Sequence, residues 1–157
     1  MYTIRKATKD DINAIQELNA KLFKKEFEEF DPSLNCDWPM SKEGKAYFLE
    51  RIEGKDACAL IALLEDEPIG YLVGSITETA SYRSAQKTAT LENMYVEAEH
   101  RSKKLGTQLF AKFQQWCEAN GVARISVTTS AENEKAINFY MNKGFEPYDI
   151  TFEKQVK

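Results

Sequence analysis

The stretch from Thr90 to Gly121 constrains the fold of this chain more than any other. Residues 90–96 read TLENMYV, a pattern rich in apolar and aromatic residues that predicts a strand. A basic turn, RSKKLG at residues 101–106, follows, and apolar residues then recur at helical spacing until Gly121. The apolar positions of that predicted helix are Leu105, Leu109, Phe113, Trp116 and Cys117. The order is therefore strand, basic glycine-containing turn and buried helix.

This order of elements favours the binding of an anion. Backbone N–H groups in the turn and in the first helical turn lack a helical partner, and the helix dipole adds partial positive charge. Arg101, Lys103 and Lys104 add full positive charges. A basic turn before a helix is also common as a solvated cap, so this motif becomes specific only together with others.

A single domain fits the length and composition of the chain. Its 157 residues, numbered 1–157, can bury one good core. No run of 18 apolar residues exists, so we expect no membrane span, and the N-terminus lacks the apolar stretch of a signal peptide. The net charge of −4 argues against nucleic acid as a general partner.

The cysteines indicate a reducing compartment. They are three in number and unclustered, and two of them, Cys58 and Cys117, lie in apolar patterns typical of small core residues. We therefore expect a cytoplasmic protein without disulfides. With one histidine and scattered cysteines, the sequence contains no metal-ligand spacing.

The other elements follow from periodicity, caps and turns. Thr8 and Asp11 form a capping box before a first helix, and Ser41 can cap a second helix that ends at Gly54. Residues 26–39 lose helical periodicity, which predicts a loop. The predicted strands are residues 2–7, 57–64, 69–76, 90–96, 123–129 and a last one around Tyr148, Ile150 and Phe152; a further helix is predicted over residues 133–143.

Two motifs carry a resemblance to a known family. The turn at residues 101–106 resembles the pyrophosphate-binding signature Gln/Arg-x-x-Gly-x-Gly/Ala, with Arg101 in the first position and Gly106 in the last. Lys104 stands where the first glycine is expected, and lysine tolerates left-handed backbone angles poorly. This signature belongs to the GNAT superfamily of acetyl-CoA-dependent N-acetyltransferases.

The second motif lies further along the chain. The family's later signature is Asn-x-x-Ala, an aromatic pair and Gly-Phe, which residues 133–136, 139–140 and 144–145 match. The resemblance implies an α/β, single-domain GNAT-like fold, with a mixed central sheet of six or seven strands flanked by about four helices. It also implies that the pantetheine arm of acetyl-CoA lies between two splayed strands, residues 91–96 and 125–129.

The resemblance further implies catalytic roles for two residues. Tyr140 would protonate the departing thiolate, whereas its pattern alone is that of a core aromatic with a hydrogen-bonded hydroxyl. Glu92 would be the general base that deprotonates the attacking ammonium, or else a solvated charge or salt bridge. Alternation along the strand predicts that Glu92 shares a face with Thr90, Met94 and Val96.

The cofactor-binding residues are implied by the same motifs. A strand N–H near Met94 would hold the tetrahedral oxyanion. Asn133 would contact the cofactor and can also cap the helix that follows it. The complete set of implied cofactor residues is Met94, Val96, Arg101, Ser102, Lys103, Lys104, Gly106, Thr107 and Asn133.

The residues between the first two predicted helices include many acidic and aromatic side chains, and in this family fold that segment overhangs the pocket for the acceptor amine. Carboxylates facing the cleft would favour a cationic amine, but such runs are commonly solvated surface. Aromatic residues could wall the pocket or bury the loop. The acidic residues are Glu26, Glu28, Glu29, Asp31 and Asp37, and the aromatic ones are Phe27, Phe30 and Trp38.

The sequence therefore predicts a cytoplasmic N-acetyltransferase that moves an acetyl group from acetyl-CoA directly to a primary amine of a small molecule or peptide. Two alternatives stay open: a non-catalytic acyl-CoA-binding sensor on the same fold, and a nucleotide-binding module that uses the basic turn. The sequence names neither the acceptor nor the oligomeric state, and a homodimer is compatible with it.

Overall fold

A computed structural model of the chain describes residues 1–84 and 86–157, apart from the side chain of Ser102. Within these residues the chain forms five strands and four α-helices. In chain order they are β1 Tyr2–Lys6, α1 Ile12–Glu29, α2 Lys42–Glu53, β2 Ala57–Leu64, β3 Glu67–Thr77, β4 Thr88–Val96, α3 Leu105–Ala119, β5 Arg124–Val127 and α4 Glu134–Asn142. Short 3₁₀ helices at Lys9–Asp11, Trp38–Met40 and Ala98–Lys103 connect them.

The strands form one mixed sheet in the order β1-β2-β3-β4-β5. Neighbours are antiparallel except for β4 and β5, which are parallel. The β4–β5 pairing runs from Thr88 opposite Arg124 to Leu91 opposite Val127 and ends there, although β4 continues to Val96. The two strands therefore part midway along β4, at one side of the sheet, as the family resemblance implied.

The prediction of six or seven strands is wrong, since the described residues form five. The missing strand is the last one, because residues 145–157 adopt no regular structure. Tyr148, Ile150 and Phe152 have the alternation of a strand, but their side chains are 60%, 76% and 88% exposed. A strand requires a paired edge, and the segment pairs with none among residues 1–84 and 86–157.

Helices cover both faces of the sheet. On one face α3 packs through Leu109 and Phe113 against Leu72 and Leu91. This approach is close, since a Cβ on Gly74 of β3 would lie 2.5 Å from the Phe113 ring. On the other face α1 and α2 cover the sheet, with buried residues that include Ile15, Phe48 and Tyr71. Burying each large apolar side chain fully, rather than leaving it exposed, stabilises the folded state by roughly 1.5–3 kcal/mol.

The predicted caps are confirmed, but the first helix is longer than predicted. Thr8 and Asp11 form the capping box, the Ser41 hydroxyl accepts from the Gly44 N–H at 3.0 Å, and α2 ends at Gly54. The prediction that a loop begins at residue 26 is wrong, because α1 continues to Glu29. Its last residues are good helix formers, and the helix ends at Glu29, three residues before Pro32.

A β-bulge in β4 changes which way its side chains face. Opposite β3, Val73 pairs with Asn93 and Gly74 with Leu91, so Glu92 is the extra residue. Leu91 before the bulge and Met94 after it both pack on the α3 side, while Glu92 bonds to residues of α2. The prediction that Glu92 shares a face with Met94 and Val96 is therefore wrong.

Candidate active site

A cleft of about 1200 Å³ opens where β4 and β5 diverge. The C-terminal half of α1, the N-terminal turn of α3 and helix α4 form its other walls. Both residues with predicted catalytic roles line it, as do most residues with predicted cofactor roles: Glu92, Tyr140, Met94, Val96, Arg101, Lys104, Gly106, Thr107 and Asn133. Lys103 is exposed and does not line the cleft, and the side chain of Ser102 lies outside the described residues.

The basic turn keeps a left-handed shape even though lysine replaces glycine. Lys104 has φ 60° and ψ 23°, and it joins the 3₁₀ helix to α3. Its carbonyl accepts from the Gln108 N–H at 3.1 Å, so the N–H groups of the three residues before Gln108 have no helical partner. The turn therefore presents backbone donors and a cation at one wall of the cleft.

Arg101 ties this turn to the end of β4. Its Nε donates to the Val96 carbonyl at 2.8 Å, and its guanidinium lies 5.2 Å from the centre of the Tyr95 ring. Gly106, one residue into α3, faces the cleft without a Cβ; an added Cβ would lie 3.6 Å from the Phe139 ring. That distance is ordinary van der Waals contact, so alanine fits at this position.

Tyr140 lies on α4 between two aromatic rings. Phe139 and Phe145 pack edge-on against it, with ring centres 5.2 and 5.4 Å away. Among the residues that the structure describes, none is hydrogen-bonded to its hydroxyl. Burial, together with the nearby charge of Glu26, raises the pKa of the phenol to about 12. Tyr140 is thus packed in place by its ring and keeps its proton at neutral pH.

Glu92 is the centre of a polar cluster between α2 and β4. Its carboxylate accepts from Arg51 Nε at 2.5 Å, from the Tyr47 hydroxyl at 2.6 Å and from the Ser75 hydroxyl at 2.8 Å. Burial acts to raise the pKa of the Glu92 carboxyl, but these hydrogen bonds, that of Arg51 foremost, hold it below its ordinary value. Glu92 is therefore ionised at neutral pH.

The partners of Glu92 could not be predicted from the sequence. Tyr47 and Arg51 are four residues apart on α2, a spacing that places them on one helical face. That spacing is the only signal that they act together, and it does not reveal which residue across the sheet they meet. Asn93 was also missed: its amide donates to the Tyr47 hydroxyl at 3.3 Å, while its buried Oδ1 has no partner among the described residues.

The α1 wall of the cleft is acidic and aromatic. Glu26 and Glu29 line the cleft, and Phe30 and Trp38 lie beside them. Burial raises the pKa of the Glu26 carboxyl, with the neighbouring Lys25 acting in the opposite direction. The remaining acidic residues of this region, Glu28, Asp31 and Asp37, do not line the cleft, nor does Phe27, which is 41% exposed.

Asn133 caps α4, with its Oδ1 accepting from the Ala136 N–H at 3.1 Å. Asn133 also lines the cleft. Cys58 and Cys117 are buried, as predicted, and burial raises the pKa of their thiols to about 11 and about 12. Within residues 1–84 and 86–157 no cluster of potential metal ligands occurs, and no helix is long and apolar enough to cross a membrane.

Comparison with known proteins agrees with this geometry. Residues 13–145 match the model of the acetyltransferase (GNAT) family. An uncharacterised N-acetyltransferase of Methanocaldococcus jannaschii is 23% identical over 155 residues, which are 95% of this chain and 62% of that protein. The chain thus spans less than two thirds of the length of this relative.

Solved structures share the fold. A mutant protein of Bacillus halodurans superposes with a TM-score of 0.87 at 19% identity, over 99% of both chains. The aminoglycoside N-acetyltransferase AAC(6')-Iy in complex with CoA superposes with a TM-score of 0.78 at 21% identity, over 100% of this chain and 96% of its own. At such identities the likeness concerns the fold alone.

Proposed function

Because this chain belongs to the acetyltransferase (GNAT) family, we propose that it is an N-acetyltransferase. It moves an acetyl group from acetyl-CoA, the acyl donor of the family, directly to a primary amine of a small molecule or peptide. One observation carries the proposal: a single cleft joins the basic turn before α3, the gap between β4 and β5, and Tyr140. The groups proposed to bind phosphate, to position the acyl group and to transfer the proton therefore all line the same cleft.

The residues of the cleft fit the parts of acetyl-CoA. The turn at residues 101–107 would hold the pyrophosphate through its backbone N–H groups, with Lys104 adding a cation. The part of β4 around Met94 is paired with β3 but not with β5, so on its β5 side it offers backbone groups to the pantetheine amides and to the developing oxyanion. Val96, Thr107 and Asn133 border the same space.

Tyr140 is the proposed general acid. As the C–N bond forms and the C–S bond breaks, the sulfur of CoA gains negative charge, and the phenol proton passes to it. The raised pKa ensures that the hydroxyl is protonated at neutral pH. Its freedom from hydrogen bonds to the described residues supports this role over that of a satisfied core tyrosine.

The amine must lose a proton before it attacks, since alkylammonium groups have a pKa around 10. Glu92 is the proposed base, acting through bound water because its own oxygens already accept from Arg51 and Tyr47. Its lowered pKa makes it a weak base. Glu26 also lines the cleft and would hold the incoming ammonium, whose charge would oppose the rise in the Glu26 pKa that burial causes.

A cationic acceptor is the class that this cleft favours. Two carboxylates, Glu26 and Glu29, lie on the α1 wall together with the aromatic side chains of Phe30 and Trp38. A protonated amine is attracted electrostatically to the carboxylates and, through cation–π interactions, to the aromatic faces. The aminoglycoside substrates named for the AAC(6')-Iy fold neighbour are cationic amines of this kind. The cytoplasm, where acetyl-CoA is available, is the proposed location.

Two measurements test the proposal. CoA should raise the Tm of the protein by mass action, and Gly106→Asp should abolish the shift by placing a carboxylate against phosphate. Gly106→Ala is the control, because a Cβ fits there. A screen of amines that follows thiol release from acetyl-CoA then identifies the acceptor. CoA binding without turnover of any amine would instead support an acyl-CoA sensor, and ATP or NAD affinity in place of CoA affinity would support a nucleotide-binding module.

A further inference from the structure

A second cavity lies where α3 crosses β2 beside the edge strand β1. We call it the α3 groove; it is formed by residues 5–6 of β1, Cys58 and Leu60 of β2, and Lys112, Gln115 and Trp116 of α3. Its volume is about 310 Å³, which is the size of a small ligand pocket. Among the described residues, none lines both this groove and the active-site cleft. The groove is therefore a separate site.

The floor and one wall of the α3 groove are apolar. Cys58 and Leu60 on the floor are only 3% and 5% exposed. Trp116 on the wall is half-buried, and its ring packs against that of Phe113 with ring centres 5.8 Å apart. An indole beside an apolar floor suits a flat, apolar ligand body.

Two lysines stand over this apolar surface. Lys6 lies opposite Leu60 in the pairing of β1 with β2, and residues directly opposite share a face of the sheet. Burial raises the pKa of the Cys58 thiol, and the charge of Lys6 acts in the opposite direction, as expected for an ammonium near the floor. Lys112 is four residues before Trp116 on α3, so both project from the same face of that helix.

The charge of these two lysines is not neutralised within the groove. Arg5 is paired with the Asp11 carboxylate at 2.7 Å, but neither lysine forms a salt bridge with any described residue. No carboxylate is found among the described residues that line the groove, although the chain as a whole has a net charge of −4. Positive charge of this kind attracts an anion.

Lysines on an edge strand also have a protective role, because they discourage pairing with another chain. That role explains a lysine on β1. It requires neither the position of Lys6 on the face of the groove floor nor a second lysine, Lys112, on the facing helix. The arrangement fits a ligand site better than edge protection.

We propose that the α3 groove binds a small aromatic carboxylate. The carboxylate accepts hydrogen bonds from the Lys6 and Lys112 ammonium groups, and the ring lies on the apolar floor against the Trp116 indole. The volume of the groove equals that of about ten water molecules at about 30 Å³ each, so the ligand has one or two rings. The proposal does not depend on the acetyltransferase function, because the groove and the cleft share no lining residue among those described.

The two tryptophans of the chain allow a direct test, because Trp38 lines the cleft and Trp116 lines the groove. The full chain, labelled with ¹⁵N, is titrated with 1-naphthoate while the two indole N–H signals are followed by NMR; Trp116→Phe assigns them. The naphthoate should shift the Trp116 signal saturably and leave the Trp38 signal in place. 1-Naphthamide has the same rings without the charge and should bind about tenfold more weakly.

Charge reversal tests the role of the lysines. Lys6→Glu combined with Lys112→Glu should weaken naphthoate binding at least about tenfold, since both charged contacts are replaced by repulsion. Lys42→Glu combined with Lys55→Glu is the matched control. It changes the net charge equally at two exposed lysines that line neither cavity, and it should bind naphthoate like the wild type.

Four results would overturn the proposal. A Trp116 signal that does not move at millimolar naphthoate shows that the groove binds no aromatic carboxylate. A shift of the Trp38 signal alone places the ligand in the cleft. Equal affinity for naphthoate and naphthamide removes the lysines from recognition, and equal weakening in both double variants attributes the effect to net charge. The wild-type titrations stand even where a double variant fails to fold.

Discussion

The Arg51 guanidinium donates to the Glu92 carboxylate at 2.5 Å from Nε and 2.8 Å from Nη2, joining α2 to the bulge in β4. The two side chains are 20% and 16% exposed, so the pair is largely enclosed. An enclosed charge that loses its partner is costly, because neither water nor another ion replaces it. This contact therefore stabilises the fold and also fixes where Glu92 faces the cleft.

Glu92→Gln should destabilise the protein by about 1–3 kcal/mol at pH 7, since it leaves Arg51 without its counter-charge. The pKa of Glu92 is lowered in the folded state, so its contribution is present above its ordinary pKa and is lost as the pH falls through the folded value. The Tm difference should thus shrink below about pH 4. Glu50→Gln is the matched control, because Glu50 also contacts Arg51 but is 58% exposed.

The same variant tests the proposed base. Once an acceptor is known, Glu92→Gln should lower the rate most at acidic pH, and higher pH should recover part of the loss by supplying free amine. If the variant keeps the wild-type pH profile, Glu92 is a structural ion pair and takes no part in proton transfer. Equal stability of Glu92→Gln and Glu50→Gln at pH 7 would contradict the structural role instead.

Glu26→Gln should weaken the binding of a cationic amine while stabilising the fold. Loss of one charge-assisted hydrogen bond should raise KM about tenfold. The raised pKa of Glu26 means that its stabilising, protonated form is present below its ordinary pKa and is lost as the pH rises, so the carboxylate costs stability at pH 7. The variant should therefore have a higher Tm at pH 7 and an unchanged one near pH 4.

Neighbouring charged groups also shift the pKa of Glu26, and so affect the pH at which this difference in Tm appears. Lys25 lowers its pKa and Asp31 raises it, and Glu29 on α1 and Tyr140 on α4 face the same cleft. Glu28→Gln is the matched control on the same helix, since Glu28 is exposed and does not line the cleft. An unchanged KM in Glu26→Gln, measured by steady-state kinetics, would show that the ammonium binds elsewhere.

The Lys104 ammonium should bind a phosphate of CoA. Its left-handed backbone conformation, with φ 60°, should destabilise the fold relative to glycine at this position. Lys104→Ala and Lys104→Gly should both weaken CoA binding about fivefold, the equivalent of about 1 kcal/mol for a lost charged contact. Lys104→Gly should unfold at a higher temperature than Lys104→Ala, because glycine adopts φ 60° without strain. Calorimetry and thermal unfolding measure the two effects, with Lys112→Ala on the exposed side of α3 as the control. Unchanged affinity in Lys104→Ala would rule out the phosphate contact.

Much of the fold could be predicted from local patterns in the sequence. The apolar run of β2, the helical stripe of α3 and the caps at Thr8 and Ser41 depend on residues close together in the chain, so periodicity and capping rules identify them. The position of the cleft also followed from local motifs, because the turn before α3 and the motif on α4 each match a known signature.

The features that were missed depend on contacts between distant residues. The bulge at Glu92 shifts the alternation of β4 by one residue, and only the pairing with β3 reveals it. The contact of Arg51 with Glu92 joins residues 41 positions apart. The final strand was predicted from the alternation of Tyr148, Ile150 and Phe152, but alternation states a preference and supplies no partner edge.

The acetyltransferase function and the role of Tyr140 are tested together by comparing wild type and Tyr140→Phe for acetyl-CoA turnover with an accepted amine. Turnover is scored by thiol release and by the mass of the acetylated product. The substitution removes only the hydroxyl, so the packing against Phe139 and Phe145 and the affinity for CoA should persist. We expect acetylated amine from the wild type and a kcat about 10²–10⁴-fold lower in the variant. Equal turnover by both proteins at every pH would contradict the role of Tyr140, and a wild type that binds CoA but acetylates no amine would contradict the proposed function.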